Sequence, residues 1–408
     1  GKINPNATLG YSDGSYFYTP DNWVDETIDN QMRQEYNLSI TGGTGKLNYY
    51  MSLGYLEDGG IVEGSGFNRL TARLTADYQA KKWLKVGANM SYTNSESLYP
   101  GDQTATNSSG NAFYVGNQIA PIYPLFVRNA DGSIRYDQNS GRPVYDYGDG
   151  KSTNNVRNFM NMSNPLSDLS YNTTEYLMDI LNTKWYAEVT PFDGLKLTAS
   201  YGVHIDNTRY HDLGNKYYGQ SASYGGTVYQ SHDRMYAFNQ QYLASYIKTF
   251  GKHNIDLLAG YESYKREGED QYASGQNIYK DYDFTVNNSI DQKRGGGSAY
   301  EYATQGFIGR VNYNWDEKYY GSFSYRRDAS SVFHPDNRWG NFFSASAAWL
   351  ISKESFMEDV DWVDMLKLKA SFGEQGNDYL TYTDGYRNYI VYQDQYKMTG
   401  ADGVFSDG

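Results

Sequence analysis

Histidine is the first residue type to test for chemistry, because its imidazole can serve as a metal ligand or as a general base. The chain has five, and none forms a His-x-x-x-His pair or has a glutamate at the spacing of a zinc protease: His204, His211, His232, His253 and His334. The carboxylates are scattered over turns and loops. The sequence therefore predicts that the protein is not an enzyme, and it predicts neither a metal site nor a cofactor.

Three short motifs resemble ligand-binding loops. Gly42-Gly43-Thr44-Gly45-Lys46 resembles a phosphate loop, but no Ser or Thr follows the lysine and the next pattern is a strand. Residues 129–133 and 137–141 resemble calcium loops without the glutamate that an EF-hand needs. We interpret all three as turns, with residues 134–136 as a small strand between the last two. Calcium binding remains the weaker alternative.

The composition excludes several classes of protein. The 408 residues include no cysteine and carry a formal net charge of −13, which excludes disulfide scaffolds and basic nucleic-acid-binding surfaces. There are 44 Tyr, 17 Phe and 42 Gly, but hydrophobic residues make up only 39%. This balance favours strands with one apolar and one wet face. No run of about 18 apolar residues occurs, so no transmembrane helix is predicted.

Alternating apolar and polar residues predict strands that cross a membrane. In one stretch, Leu366, Leu368, Ala370 and Phe372 alternate with lysine, serine and glycine, and residues 84–92 and 195–204 show the same pattern. Each stretch has about ten residues, enough to cross a bilayer when tilted. We predict about twelve strands forming part of an all-β, transmembrane antiparallel β-barrel. In one strand, Phe307, Gly309, Val311 and Tyr313 are expected to face lipid, and Ile308, Arg310 and Asn312 the lumen.

The connections between the predicted strands are sorted by length. Five hairpins close through short turns, whereas the alternate connections are long and polar: residues 57–66, 95–173, 208–233, 265–300 and 329–337. Outer-membrane barrels have this arrangement, with short turns in the periplasm and long loops outside. Five tryptophans near the short turns predict an aromatic girdle there, the alternative being that they cap a hydrophobic core: Trp83, Trp185, Trp315, Trp349 and Trp362. Residues 294–298 (RGGGS) are expected to be a mobile loop tip.

Eight sequence blocks occur in a recognisable order along nearly the whole chain. They are WVD at 23–25, QEYNLSITGG at 34–43, YYMSLGYL at 49–56, FNRLTARL at 67–74, WLKVG at 83–87, YRRDASS at 325–331, WGNFFSASAAW at 339–349 and LKLKASFGEQGN at 366–377. Together they resemble the SusC/RagA-like family of TonB-dependent outer-membrane transporters. The resemblance implies a barrel of about 22 strands closed around an N-terminal plug.

The resemblance also implies a function and partners. It implies TonB-dependent import of an oligosaccharide or peptide across the outer membrane, with a SusD-like surface lipoprotein over the barrel. Residues 1–34 are then the lead-in segment of the barrel, 35–376 its central strands with long external loops, and 377–408 a truncated external loop. A passive porin or a surface adhesin is the alternative. Six cations could line a solute path or bond to the plug or to each other: Arg69, Arg73, Lys184, Arg310, Lys367 and Lys369.

Loop tyrosines are the candidate substrate contacts, because a flat ring with a hydroxyl suits both sugars and peptides. The candidates are Tyr114, Tyr145, Tyr147, Tyr217, Tyr218 and Tyr224. The alternative is that these tyrosines only order long polar loops. Residues 95–173 are the first candidate for contact with a partner. Their apolar segment 121–126 (PIYPLF) needs burial against a plug, a partner or the barrel rim.

Overall fold

One large antiparallel sheet dominates the fold. The structure is a computed structural model that describes residues 10–100, 111–120, 122–138, 141–161, 164–217, 219–382, 385, 387–393, 396–399 and 404–407. Twelve strands form this sheet, and each pairs with its neighbours in sequence. They are β1 (Arg33–Gly43), β2 (Leu47–Gly59), β3 (Gly66–Lys81), β4 (Leu84–Tyr99), β5 (Thr173–Phe192), β6 (Leu195–Gly214), β7 (Thr227–Phe250), β8 (His253–Ile278), β9 (Ser289–Trp315), β10 (Tyr319–Ser330), β11 (Trp339–Leu350) and β12 (Lys367–Gly373). The predicted fold class and the number of strands are confirmed.

The remaining elements are short. Three helices lie in the long connections: α1 (Ala112–Gln118), α2 (Pro165–Tyr171) and α3 (Gly219–Ala222). Tyr11–Ser12 pairs with Phe17–Tyr18, and Tyr396–Thr399 pairs with Val404–Asp407. 3-10 turns occur at Val286–Asn288, Pro335–Asn337, Ile351–Lys353 and Ser355–Met357. Within the described ranges, no helix is both long enough and apolar enough to span a membrane.

The sheet has one apolar and one polar face. One cross-strand row contains only apolar side chains: Leu195, Tyr246, Leu257, Val311, Phe323, Ala345 and Phe372. The adjacent row, one residue along, is Asp256, Asn312, Ser322, Ser346 and Ser371. Since successive residues of a strand point to opposite faces, the two rows lie on opposite sides of the sheet. The predicted division of β9 is confirmed.

Polar contacts on the second face hold neighbouring strands in register. Arg310 forms an ion pair with Asp256 at 3.7 Å, and the Asn312 Nδ2 donates to the same carboxylate at 3.1 Å. Lys367 lies with its Nζ 4.2 Å from the ring centroid of Tyr320. Of the six predicted cations, these two contact groups of the wall itself, and so does Arg69, whose guanidinium lies 6.0 Å from the Phe67 ring centroid.

The short turns occur where the sequence predicts them. Asp193-Gly194 and Gly251-Lys252 join β5 to β6 and β7 to β8 as two-residue turns, with φ of +91° at Gly194 and +59° at Gly251. Tight hairpin turns need positive φ, which glycine adopts without steric cost. Residues 44–46 form the turn between β1 and β2, so the phosphate-loop resemblance is a hairpin turn.

Aromatic side chains collect at the short-turn end of the sheet. Tyr319 stacks on Trp349 at 6.3 Å, and Trp315 lies 5.7 Å from Tyr319. The Tyr319 hydroxyl and the Trp349 Nε1 both donate to Glu354, at 2.6 and 3.0 Å. Trp83, Trp185 and Trp362 are exposed, so these three do not cap a buried core. The arrangement is that of an interfacial girdle.

The strands extend further toward the long-loop end than the sequence predicts. β8 and β9 have 26 and 27 residues, although about ten suffice to cross a bilayer. Residues 95–99, 208–214, 227–233, 265–278 and 289–300 therefore belong to strands and not to loops.

The glycine run of residues 294–298 is part of this extension, and its prediction as a mobile tip was wrong. Gly295 and Gly296 pair with Ala273 and Tyr272 of β8. A Cβ at Gly296 would lie 2.8 Å from the Tyr272 ring, and one at Gly297 would overlap the carbonyl oxygen of Asp270. The glycines allow a tyrosine ring and a backbone carbonyl to approach the strand closely.

An arginine in the middle of the apolar band should destabilise the protein in a bilayer. Val311 lies between Trp315 at the short-turn end and the stacked rings of Phe307 and Trp339 at the other end. We expect Val311→Arg to cost about 2–4 kcal/mol of unfolding free energy in lipid vesicles. The control is Asn312→Arg, because the side chain at this position points to the polar face beside Asp256. Equal losses for the two variants would disprove the assignment of faces.

A side chain at Gly297 should loosen the β8–β9 extension. Gly297→Ala forces its Cβ against the backbone of Asp270, and the backbone must shift. Gly309→Ala is the matched control, because a Cβ at this position of the same strand has no atom within 4 Å among the described residues. Amide hydrogen exchange of β8 and β9 should accelerate in the first variant alone. Unchanged protection in both variants would contradict the close packing.

Candidate binding surface at the long-loop end

The lead-in segment and four connections fold together at the long-loop end of the sheet. We call this the loop assembly, and it consists of the described parts of residues 10–32, 60–65, 111–172, 215–226 and 279–288. Its main core is a cluster of nine buried side chains: Trp23, Val115, Ile119, Leu125, Phe126, Tyr145, Tyr147, Leu166 and Tyr171. Smaller clusters form around Val62 and around Leu213. The long connections are thus a folded layer with its own core.

An ion pair fixes the lead-in segment to the longest connection. Asp21 accepts hydrogen bonds from both terminal nitrogens of Arg128, at 2.7 and 2.9 Å, and from the backbone N–H of Leu125 at 2.7 Å. The two side chains are only 9% and 11% exposed. The Trp23 Nε1 also donates to the carbonyl of Tyr123 at 3.0 Å. Leu125, in the apolar segment of residues 121–126, is therefore buried by the assembly itself.

Buried polar side chains organise the centre of the assembly. Asn164 caps α2 by accepting from the Ser167 N–H at 3.3 Å, and its Nδ2 donates to the carbonyls of Leu125 and Asp146 at 3.0 Å each. Proline at the next position suits the first turn of a helix, which explains why α2 begins there. Satisfying these carbonyls removes the cost of burying them.

Two charged groups are buried beside this cap. Asp146 accepts from the Gly148 N–H at 2.7 Å and from the Thr153 hydroxyl at 2.9 Å, and burial raises its pKa. The Arg157 Nη2 donates to the carbonyl of Tyr147 at 2.7 Å, and its guanidinium lies 5.2 Å from the Trp23 ring centroid. Burial lowers the pKa of Arg157. Neither charge is exposed, so both groups act in packing and not in contact with solvent or ligand.

The neighbouring loops are joined to this core by amide and aromatic contacts. The Asn172 Oδ1 accepts from the backbone N–H of Asn215 at 2.9 Å. The Tyr217 hydroxyl donates to Asp281 at 2.8 Å, while its ring lies 6.1 Å from that of Tyr171. The connections between β4 and β5, β6 and β7, and β8 and β9 therefore form one continuous layer.

The candidate tyrosines divide by burial. Tyr145 and Tyr147 are only 3% and 4% exposed, and their hydroxyls are engaged by Ser170 at 3.0 Å and by Ser167. Burial raises the pKa of Tyr145 to about 12. A ligand reaches neither ring unless the assembly opens, so in this arrangement both tyrosines act in loop packing.

The other four candidates differ from these two. Tyr114 and Tyr217 are partly buried against the same core, and Tyr224 is 56% exposed. Tyr218 lies outside the described residues. Of the five described candidates, Tyr224 has the ring most open to a ligand. Substrate contact by these side chains stays a prediction.

The motifs with metal or catalytic spacing form turns. Asp131 accepts from the Ser133 N–H at 2.9 Å, and residues 134 and 136 form β-bridges, as the predicted small strand requires. No group of three or more His, Asp or Glu positioned to hold a metal occurs in the part of the chain that the structure describes. Residues 10–14 (GYSDG) have the spacing of a hydrolase nucleophile elbow. Ser12, however, lies on an exposed two-residue strand, where its Oγ accepts from the Gly14 N–H at 3.2 Å.

A cavity on the polar face, at the long-loop ends of β10 and β11, is a second candidate site. It measures about 750 Å³, within the range of ligand pockets, and lies between β7–β11 and residues 374–378. Arg326 crosses its wall and binds Glu262 at 2.5 Å and Asp328 at 3.0 Å. Sequence reasoning missed the cavity, because its lining comes from six separate segments.

Residues after β12 complete one side of this cavity. Asp378 accepts from the hydroxyls of Tyr302 and Ser330, at 2.7 Å each, and lies 3.5 Å from Arg387. The Arg387 guanidinium is 4.3 Å from the ring centroid of Tyr302 and 5.2 Å from that of Tyr389. These contacts fix part of the predicted external loop of residues 377–408 against the wall.

Removing Arg128 should open the loop assembly while leaving the sheet intact. Arg128→Ala leaves the Asp21 carboxylate buried without its partner, which should destabilise the assembly by about 3 kcal/mol. The control is Arg33→Ala, because Arg33 is 60% exposed in its ion pairs and should contribute less than about 1 kcal/mol. Limited proteolysis should cleave residues 111–161 in the first variant only. Equal resistance of the two variants would show that the ion pair is not required.

The loop assembly should also become less stable as the pH rises. Burial raises the pKa of Asp168 in α2 from its ordinary value of 3.8 to about 7. The neutral carboxyl is therefore favoured by folding, and its contribution is full below the ordinary pKa and lost as the pH rises through about 7. Proteolysis of the assembly should accelerate between about pH 4 and about pH 7. Asp168→Asn should flatten this dependence, whereas Glu26→Gln, at an exposed position of the same assembly, should not; a flat wild-type profile would exclude the effect.

Comparison with known proteins supports the family resemblance, although no family model matches the chain. The chain is 27% identical over 365 residues to the TonB-dependent receptor P3 of Formosa agariphila, a match that covers 87% of the chain and 34% of the relative. It is 29% identical over 377 residues to the TonB-dependent receptor SusC of Bacteroides thetaiotaomicron, covering 87% of the chain and 34% of the relative. The chain thus spans about a third of the length of these curated relatives.

The fold agrees with a solved transporter. The RagAB peptide importer in its closed-closed state superposes with a TM-score of 0.73 at 23% identity, over 99% of this chain and 42% of that chain. At this identity the likeness establishes the fold. In both sequence and fold the chain is therefore similar to part of the β-barrel of SusC/RagA-like TonB-dependent transporters, which are proteins of the outer membrane.

Proposed function

We propose that the whole protein imports a nutrient across the outer membrane, using energy supplied through TonB. The observation that carries the proposal is a two-faced wall of twelve strands in a chain that matches TonB-dependent receptors over 87% of its length. Its apolar band suits lipid, and its polar face suits an aqueous lumen. The matched relatives are receptors and transporters, which agrees with the expectation of a function other than catalysis.

The proposed substrate is an oligosaccharide or a peptide. The solved relative is named as a peptide importer, and the family resemblance includes both classes. The proposed partners are TonB and a SusD-like surface lipoprotein. The loop assembly is the proposed docking surface for the lipoprotein. Its buried core favours this role, because an ordered surface loses less conformational entropy on binding than a flexible loop.

Uptake measurements test the proposed function directly. Cells that express the full-length protein should accumulate the cognate labelled nutrient, and deletion of tonB should abolish accumulation while leaving the protein in the outer membrane. Uptake that continues without TonB would support the passive barrel and refute the proposal.

Removing the longest connection should abolish import and leave the barrel folded. Tyr99 pairs with Thr174, so residues 100–172 can be replaced by a short turn between strands that are already paired. The matched control replaces residues 279–288, a shorter connection of the same assembly, by a turn between the paired residues Ile278 and Ser289. This variant should lose less partner binding and less uptake than the first. We expect the first deletion to abolish both copurification of the partner and uptake. If both persist, the loop assembly is not the docking surface.

Substrate contact by the loop tyrosines is tested by six alanine substitutions. Tyr224→Ala should weaken binding without altering protease resistance, whereas Tyr145→Ala and Tyr147→Ala should open the core of the assembly. Tyr114, Tyr217 and Tyr218 complete the series. Unchanged affinity for the nutrient in all six variants would assign these rings to loop packing alone.

A further inference from the structure

The cavity on the polar face has a lining suited to one class of ligand. Two phenylalanines, Phe333 and Phe342, and two tyrosines, Tyr264 and Tyr302, supply its aromatic surface. Apart from Arg326 and Arg338, its hydrogen-bonding side chains are uncharged or acidic: Asn239, Glu262, Thr304, Asp328, Ser330, Asn337, Glu374, Gln375, Asn377 and Asp378. Flat apolar rings beside many hydroxyl-binding groups match a sugar ring, which has apolar faces and a polar rim.

Phe342 occupies a gap that small residues keep open. Its ring lies beside Gly340 and Gly376, and a Cβ at Gly340 would lie 2.6 Å from the ring's Cζ atom. A side chain at either glycine would overlap the ring and displace it. Glycine at both positions therefore lets the Phe342 ring take its place in the cavity wall.

The charges of the lining argue against an acidic ligand. Four carboxylates, Glu262, Asp328, Glu374 and Asp378, outnumber the three nearby guanidinium groups, which are Arg326 and Arg338 in the lining and Arg387 beside Asp378. Arg326 is already bound by Glu262 and Asp328. An acidic ligand would meet an excess of negative charge, which acts as a repulsive term against it.

The backbone around the cavity argues against an extended peptide. Peptides in extended form gain much of their affinity by adding a strand to an open sheet edge. The wall strands β8, β9, β10 and β11 each pair on both sides in the described sheet. Their backbone groups are thus occupied, and side chains alone remain for recognition.

Two polar side chains in the lining are available to a ligand. Among the described residues, the side chains of Glu374 and Gln375 make no hydrogen bond to the protein, and both lie on the segment that Asp378 fixes against the wall. They supply acceptors and a donor at the rim of the cavity, beside Phe342.

We propose that this cavity is a binding site for a neutral oligosaccharide, with Phe342 stacking on a sugar ring and Glu374 and Gln375 binding its hydroxyls. The inference rests on the proposed import function, and it places a substrate site in the barrel wall, separate from the loop tyrosines. It also assigns a role to residues 374–378, which hold the open side of the cavity.

Binding measurements on the full-length transporter in detergent test this inference. The probe is a fluorescently labelled panel of short neutral oligosaccharides, with panels of uronate-containing oligosaccharides and of tryptic peptides as competitors. We expect Phe342→Ala and Gln375→Ala each to weaken binding of the neutral probe about tenfold, a loss of about 1.4 kcal/mol. Phe343→Ala is the control, because the neighbouring side chain points to the opposite face of β11. Gln375 is exposed, so its variant separates binding from stability.

Each result has a definite meaning. Weakened neutral binding in both cavity variants, with Phe343→Ala unchanged, supports the site. Unchanged binding in the cavity variants, or stronger binding of peptides or uronates by the wild type, overturns it. TonB-dependent uptake of a neutral oligosaccharide that the cavity variants leave unaffected would overturn the site while sustaining the proposed function. Absence of any TonB-dependent uptake in the wild type would refute the proposed function and the site together.

Discussion

The requirement that every backbone polar group be paired within the apolar layer of a membrane governs this structure. An N–H or C=O left without a partner in lipid costs several kcal/mol, so a strand can cross only when it is paired on both sides. The ten inner strands of the described sheet meet this demand by the simplest route, since each pairs with both of its sequence neighbours. Because pairing occupies the backbone groups, successive side chains can differ in polarity on the two faces of the sheet. The apolar row of Val311 and the polar row of Asn312 result from this alternation.

Much of the sheet could be predicted from the sequence, because the constraint is periodic. Leu366, Leu368, Ala370 and Phe372 alternate because one face of β12 meets lipid. Beyond the bilayer the constraint is lost, and the prediction failed there. Taken by themselves, the glycines at 295–297 indicate a flexible loop. In the structure they are small because the Tyr272 ring and the Asp270 carbonyl of the neighbouring strand approach them closely.

The candidate sites could be predicted less well, for a related reason. Burial in the loop assembly depends on residues far apart in the chain, such as Trp23 and Tyr145, and no local period signals it. The tyrosines of the longest connection therefore gave no sign of which rings are buried. The cavity in the wall depends on register between strands, since Glu262 and Arg326 meet across β9. A single sequence shows where apolar and polar residues alternate, but it does not show which residues of neighbouring strands pair.

The ion pair between Asp21 and Arg128 also has a consequence for the order of folding. The two residues are 107 positions apart, whereas the hairpins of the sheet close over turns of a few residues. Local contacts form quickly and distant ones slowly, because a longer loop must first be closed. β1 to β4 all lie between the two partners of this ion pair. The loop assembly therefore folds after these strands have paired. The external surface is then the last part of this region to reach its final structure.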